Sequence, residues 1–156
     1  MTYSYSLLIL VALTLLANSA ILPFSITPPC PTGKTAVDNG VPVTSNGCGS
    51  GPTQAKLAKN LIPFLTVLTP CCDDHDVCYG TCVSSNYLAV FNGCNNAINN
   101  CMFSQCDAHA KTISNKIKAA AAKLLCKTTA TLIYQGVSNL GKKFYEQAQK
   151  EHCSCT

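Results

Sequence analysis

Twelve cysteines constrain this 156-residue chain more than any other feature of its sequence. All of them follow residue 20, and an even number of cysteines in an oxidising compartment predicts up to six disulfide bonds. Each disulfide typically contributes about 2–4 kcal/mol by restricting the unfolded chain. A domain cross-linked in this way needs only a modest apolar core, which leaves room for polar groups inside it.

The oxidising compartment is inferred from the first twenty residues, MTYSYSLLILVALTLLANSA. They combine a polar start, an apolar run from Leu7 to Ala17 and small residues at the end, a pattern typical of a secretory signal peptide. The apolar run is shorter than the roughly 20 residues of a membrane-spanning helix. We therefore expect residues 1–20 to be a signal peptide and the rest of the chain to be secreted and extracellular.

The remaining chain divides by composition into an arm and a helical domain. Residues 21–45 are rich in Pro, Gly, Thr and Asn and are predicted to form an extended N-terminal arm, whereas residues 46–156 carry apolar residues at helical spacing. Segment 131–141 is ambiguous between a short helix and a strand. The predicted helices run from Pro70 to about Val83, from Tyr87 to Asp107 or beyond, along a stripe from Ile113 that ends near Cys126, and from Lys142 to Glu151.

The distribution of positive charge argues against a nucleic-acid partner. All eleven basic residues are lysines, and eight of them follow Ala108. Proteins that read nucleic acid usually carry arginine, with aromatic residues interleaved, and this chain has neither feature. The lysines form either an ordinary solvated surface or a surface that attracts anionic lipid.

The densest cluster of cysteines is TPCCDDHDVCYGTC, from Thr69 to Cys82. On a helix, adjacent Cys71 and Cys72 point about 100° apart, so each must bond to a different partner. The cysteine spacings do not form a zinc double knuckle, and an oxidising compartment favours disulfides over zinc. The predicted next helix offers three partners for these cysteines, namely Cys94, Cys101 and Cys106.

Three aspartates flank the one histidine of this cluster. Asp73 and Asp74 are explained by the preference for acidic residues at the start of a helix. Asp76 lies further along and is a candidate ligand for a hard cation. Because Ca²⁺ takes six to eight oxygen ligands, backbone carbonyls would have to supply most of them, and the glycines of Gly47–Gly51 would let a loop turn its carbonyls inward.

Three segments of the chain resemble those of a known family. CCDDHDVCY, Cys71–Tyr79, is similar to the active-site motif of secreted phospholipases A2. NGCGSG at 46–51 resembles the calcium loop of that family, and Cys106-Asp107 resembles its third-helix Cys-Asp pair. The divergent group XII type is the most similar subgroup, because it shares the NGCGS start, an extra cysteine at the position of Cys82 and a Cys-rich ending. The resemblance extends from about Ser45 to Cys155.

The resemblance implies a role for each matched residue. His75 would be the general base that takes a proton from water, and Asp107 would accept a hydrogen bond from its other ring nitrogen. Tyr79 would support Asp107, and the Gly49 N–H would stabilise the oxyanion. The implied Ca²⁺ ligands are Asp76 and the carbonyls of Gly47, Gly49 and Gly51. The implied disulfides are Cys48–Cys72 and Cys78–Cys106.

The expected fold is therefore mainly α and disulfide-rich, with two long antiparallel disulfide-linked helices carrying the site and a Gly-rich calcium loop beside them. The expected function is Ca²⁺-dependent hydrolysis of the sn-2 ester of glycerophospholipids by a monomer that acts on membrane surfaces or micelles. The alternative is a phospholipase-like toxin subunit or receptor ligand with little turnover. Retention of both His75 and an aspartate at the Cys-Asp position favours the enzyme.

Overall fold

The computed structural model describes residues 24–48 and 64–156, and within these ranges the chain is mainly helical. A pair of short strands joins the beginning of the described chain to its end. The predicted signal peptide lies outside the described residues. In chain order the elements are β1 (Ala36–Asp38), α1 (Leu65–Gly80), α2 (Tyr87–Lys111), α3 (Lys116–Leu140), α4 (Lys142–His152) and β2 (Cys153–Cys155).

Helix α1 begins at Leu65 rather than at Pro70, so the expected start of this helix is wrong by five residues. Pro70 lies inside the helix, where it lacks a backbone N–H to donate to the preceding turn. Buried Leu65 and Leu68 add an apolar turn before Pro70, and their packing stabilises a helix that the proline alone would disfavour. Asp73 and Asp74 therefore lie in the interior of α1, not in its first turn.

Two disulfides fix α1 antiparallel to α2. Cys71 is bonded to Cys101, and Cys78 is bonded to Cys94. Moving seven residues forward along α1 therefore corresponds to moving seven residues backward along α2, which is the register of two antiparallel helices. The expectation of two long, antiparallel, disulfide-linked helices is confirmed.

Helix α3 is continuous from Lys116 to Leu140, so the expected end near Cys126 is wrong and segment 131–141 is helical. Asn115 caps its first turn by accepting hydrogen bonds from the backbone N–H groups of residues 117 and 118. Ala119–Ala122 is a run of the strongest helix former. Ile133 and Val137 pack on the core, and this packing extends the helix through a segment whose local sequence was ambiguous.

The apolar core consists of two clusters, and each contains disulfide-bonded cysteines. The larger lies between α1, α2 and α3, and the smaller joins α1 and α2 to α4 through aromatic rings in tilted and edge-to-face contact. Gln149 of α4 is buried and donates hydrogen bonds to the carbonyls of Tyr79 and Thr81, so it closes the end of α1. The larger cluster includes Leu68, Ile98, Met102 and Ala130, and the smaller one Tyr79, Phe91 and Tyr145.

The N-terminal arm is attached to the end of the chain. Strands β1 and β2 pair antiparallel, with Ala36 opposite Cys155 and Asp38 opposite Cys153. A disulfide joins Cys30 to Cys155, and another joins Cys82 to Cys153. The arm is thus held beside α4 and the C-terminal end of α1, where the candidate site lies. In the described ranges, no helix combines the length and apolar character needed to cross a membrane.

Candidate active site

His75 lies on the face of α1 that is turned toward α2 and is buried. One helical turn later, the ring of Tyr79 lies against the imidazole, with 4.0 Å between the ring centroids. Tyr79 itself packs on Phe91 and Tyr145, so an aromatic cluster supports one side of the histidine. These contacts hold the imidazole in one orientation.

Asn95 of α2 is the hydrogen-bond partner of His75. The distance from His75 Nε2 to Asn95 Oδ1 is 2.9 Å, and the Tyr79 hydroxyl donates to the same oxygen at 2.7 Å. Because a carbonyl oxygen only accepts hydrogen bonds, Nε2 carries the proton and Nδ1 keeps its lone pair. The imidazole is therefore held in the tautomer in which Nδ1 can accept a proton.

Burial keeps this histidine neutral. Desolvation lowers the pKa of His75, and the hydrogen bond to Asn95 offsets part of that effect. Burial also raises the pKa of the Tyr79 hydroxyl, which therefore remains a donor to Asn95. A neutral imidazole with one free lone pair is the form that a general base requires.

Asp76 follows His75 and points toward the arm. Its Oδ2 accepts a hydrogen bond of 2.9 Å from the backbone N–H of Asn46. The disulfide Cys48–Cys72, which was expected, holds the segment that follows the arm against α1. Gly47 has a φ of +77°, a left-handed conformation that a residue with a side chain adopts only with strain. The chain therefore turns sharply beside the Asp76 carboxylate.

A pocket of about 580 Å³ opens beside His75 and Asp76. Apolar side chains from all four helices line it, and Leu140 and Phe144 among them are exposed at its rim. It can accept an apolar chain whose polar end reaches the histidine and the carboxylate. The apolar side chains that line it include Leu65, Ile98, Ile133, Val137, Leu140 and Phe144.

Comparison with known proteins identifies the family of this chain. The family model described as "Group XII secretory phospholipase A2 precursor" matches residues 25–156. The chain belongs to the group XII secretory phospholipase A2 family. The resemblance seen in the sequence is thereby confirmed.

Individual group XII relatives match with moderate identity. The chain is 33% identical over 116 residues to the group XIIA secretory phospholipase A2 of Mus musculus, a match that covers 73% of this chain and 53% of that protein. It is 32% identical over 114 residues to the Homo sapiens group XIIA protein, with the same two coverages. A group XIIB secretory phospholipase A2-like protein of Mus musculus is 27% identical over 110 residues, or 70% of this chain and 52% of that protein. The chain thus spans about half the length of these relatives, and no solved structure matches it.

Asp76, the expected carboxylate ligand of a hard cation, is partly buried. Desolvation raises the pKa of the Asp76 carboxyl, which means that its charge is poorly compensated where it lies, and a bound cation would compensate it. In residues 24–48 and 64–156, no cluster of three or more His, Cys, Asp or Glu side chains could hold a metal ion, so backbone carbonyls or water would complete the ligand set. Gly47 lies next to Asn46, which contacts Asp76, whereas Gly49 and Gly51 lie outside the described residues.

The expected pairing of Asp107 with His75 is wrong. Asp107 lies twelve residues after Asn95 on α2, which is about 18 Å further along the helix axis. It forms salt bridges with Lys123 and Lys127 of α3, at 2.9 and 3.0 Å, and these lower the pKa of its carboxyl. Asp107 therefore joins α2 to α3. Tyr79, which was expected to support Asp107, donates its hydrogen bond to Asn95 instead.

The expected disulfide Cys78–Cys106 is also wrong, and for the same geometric reason. Cys78 lies opposite Cys94 in the antiparallel register of α1 and α2, whereas Cys106 is three turns further along α2. Cys106 instead bonds Cys126 in the middle of α3. Sequence reasoning therefore missed Asn95, which directly follows the true partner of Cys78. The pairing of Cys78 with Cys94 was the signal that could have identified it.

Proposed function

We propose that the protein is a secreted, Ca²⁺-dependent phospholipase A2, which hydrolyses the sn-2 ester of glycerophospholipids to a free fatty acid and a lysophospholipid. The observation that carries this proposal is the state of His75. It is buried and neutral, its Nε2 is bonded to Asn95, and it lines an apolar pocket together with Asp76. Within the described residues, no hydrogen bond is made to its Nδ1. The relatives named secretory phospholipases A2 support the same chemistry and an extracellular location.

In the proposed reaction, His75 activates water. Nδ1 accepts a proton from a water molecule as the water oxygen attacks the sn-2 carbonyl carbon. The bond between that carbon and the glycerol oxygen then breaks, and the proton passes from His75 to the departing oxygen. Asn95 keeps the ring oriented throughout, because its carbonyl oxygen accepts from Nε2 before and after the transfer. The apolar walls of the pocket bind the acyl chain and exclude water from it.

Ca²⁺ fits beside this reaction at Asp76. The carboxylate of Asp76 and the carbonyl of Gly47 would hold it, with Gly49 and Gly51 as further expected ligands, and the bound ion would supply positive charge for the oxygen of the attacked ester. The Gly49 N–H is the expected second donor to that oxygen. The proposed substrate is phospholipid in membranes or micelles. The proposed oligomeric state is a monomer, and a protein receptor is a further proposed partner.

One observation favours a second candidate function, a phospholipase-like binding protein with little turnover. A carboxylate beside the histidine stabilises the imidazolium that forms during proton transfer, and the uncharged amide of Asn95 supplies no such charge. In a Ser-His-Asp triad, replacing the aspartate by asparagine lowers turnover about 10⁴-fold. Part of that loss arises because the asparagine amide there favours the wrong histidine tautomer. Here the amide oxygen accepts from Nε2 and the tautomer is correct, so we favour the enzyme.

The experiment that separates the two functions measures fatty-acid release from mixed phospholipid vesicles, with Ca²⁺ or with a chelator. We expect release by the unaltered protein in Ca²⁺ and none above background for His75→Gln. His109→Gln is the matched control, because it makes the same chemical change in a histidine that packs edge to face with Phe64, and neither residue lines the pocket. Equal background release by all three proteins would favour the binding protein.

A further inference from the structure

The outward side of α3 exposes large apolar side chains that no other part of the described chain covers. Five of them define what we call the outer face: Ile117, Leu124, Leu125, Leu132 and Leu140. Their exposed fractions are 83%, 69%, 59%, 64% and 68% respectively. Single exposed apolar residues are common on soluble proteins, but five on one helix form an apolar surface of the kind that marks an interaction site.

The outer face leads to the mouth of the candidate active site. Residues four apart form a continuous row on a helix surface, and one such row is Leu124, Thr128, Leu132, Gly136 and Leu140. The last two of these residues line the pocket. Phe144 of α4, which is partly exposed and also lines the pocket, continues the apolar surface beyond them.

The charges on α3 favour an anionic partner. The helix contains four lysines and no acidic residue. Lys123 and Lys127 are paired with Asp107, whereas Lys116 and Lys118 have no acidic partner within the described part of the chain. These two lysines lie about 100° to either side of Ile117, at the end of α3 that is farther from the pocket.

We propose that the outer face of α3 binds an anionic phospholipid surface, with its leucines in the interfacial layer and Lys116 and Lys118 at the headgroups. A row of apolar side chains bordered by lysines is the pattern of helices that lie in a membrane interface. A second copy of the chain is a poorer partner, because its own α3 has no acidic residue to pair with Lys116 and Lys118. In the membrane-bound orientation, the pocket rim at Leu140 faces the lipid, so a phospholipid can enter the pocket from the membrane. Entry of substrate by this route rests on the proposed function, whereas binding of the outer face to lipid does not.

The test is binding of the full chain to phosphatidylcholine vesicles with about one-third phosphatidylserine, in chelator so that no hydrolysis is expected. We expect binding to these vesicles, weaker binding to pure phosphatidylcholine, and a loss of about tenfold or more for Leu124→Gln/Leu132→Gln. Neither leucine lines the pocket. The matched control is Val37→Gln/Val41→Gln, which alters two exposed valines of the arm and should bind as the unaltered protein does.

Several results would overturn the proposal. Undiminished binding by the Leu124→Gln/Leu132→Gln variant, with unchanged helical circular dichroism, would show that the outer face does not contact lipid. Sedimentation of the unaltered chain as a dimer that this variant dissociates, with no vesicle binding, would assign the face to a second copy. Lipid binding without fatty-acid release in Ca²⁺ would contradict the proposed function and leave the membrane face supported.

Discussion

Replacing Asn95 by aspartate should make the candidate active site faster. Asn95 Oδ1 lies 2.9 Å from His75 Nε2, so the new carboxylate would be in direct contact with the imidazole. An opposite charge within about 4–6 Å moves a pKa by about 1–3 units toward the charged form, and each unit corresponds to about 1.4 kcal/mol. Because the imidazolium forms only as water is deprotonated, this energy lowers the barrier in proportion to the proton transfer completed in the transition state. Complete transfer would accelerate turnover about 10- to 1000-fold, and we expect at least about tenfold.

The same substitution should move the pH dependence of the reaction. In the unaltered protein burial lowers the pKa of His75, so the base is neutral and the rate is retained somewhat below pH 6.5. The carboxylate at position 95 raises the pKa of the imidazole, so more of it is protonated at a given pH. The acid limb of the rate profile therefore shifts to higher pH, and the gain in turnover is best measured at about pH 8, where the base is neutral in both proteins.

The assay is fatty-acid release from phospholipid vesicles in Ca²⁺ over a range of pH, together with NMR titration of the His75 ring in chelator. Asn96→Asp is the matched control, because it adds the same charge one residue away at an exposed position. It should change neither the rate nor the acid limb. If Asn95→Asp raises the pKa of His75 but leaves turnover unchanged, His75 does not accept the proton in the rate-limiting step, and the reasoning is refuted.

Three further predictions concern stability and metal binding. The pKa of His75 is lower in the folded protein than its ordinary value of 6.5, so the unfolded chain binds more protons as the pH falls through that value. The free energy of unfolding, measured by urea denaturation, should therefore decline below about pH 6.5. It should decline less steeply in His75→Gln. Ca²⁺ should raise the melting temperature of the unaltered protein but not of Asp76→Asn, and equal shifts in both would place the ion elsewhere. Gln149→Ala should lower the free energy of unfolding by about 2–4 kcal/mol, because the carbonyls of Tyr79 and Thr81 lose their buried donor; the exposed Gln135→Ala should have little effect.

The spacing of the cysteines predicts the register of the first two helices. Cys71 and Cys78 are seven residues apart, and so are Cys94 and Cys101. Equal spacing on two helices is what a doubly bridged antiparallel pair requires, and the structure has those two bridges. The register of α1 and α2 was therefore predictable from the sequence, and with it the position of Asn95 opposite His75.

The assignment of Asp107 failed because a short pattern was given more weight than helix geometry. Cys-Asp at 106–107 looks like the expected pair, but Cys106 faces α3 and carries Asp107 to that side of the molecule. His75, Tyr79 and Asp76 were identified correctly as neighbours, since they share one helix. The residue missed was on a different helix and is an asparagine, a type that does not suggest catalysis.

Tertiary packing explains the remaining differences between expectation and structure. Residues 131–134, Thr-Leu-Ile-Tyr, favour strand as readily as helix when taken alone. In the folded chain the Thr131 hydroxyl bonds to the carbonyl of Lys127, and Ile133 packs on the core, so helix α3 continues. Nothing in the local sequence decides this, because the decisive contacts are with α1 and α2.

The central claim is that the free Nδ1 of buried His75 activates water for attack on the sn-2 ester. The most direct measurement follows a phospholipid whose two acyl chains carry different labels, incubated with the protein in Ca²⁺ and in chelator. We expect release of the sn-2 label alone, only in Ca²⁺, and its loss in His75→Gln but not in His109→Gln. Release of the sn-1 label, or sn-2 release that His75→Gln leaves intact, would contradict it.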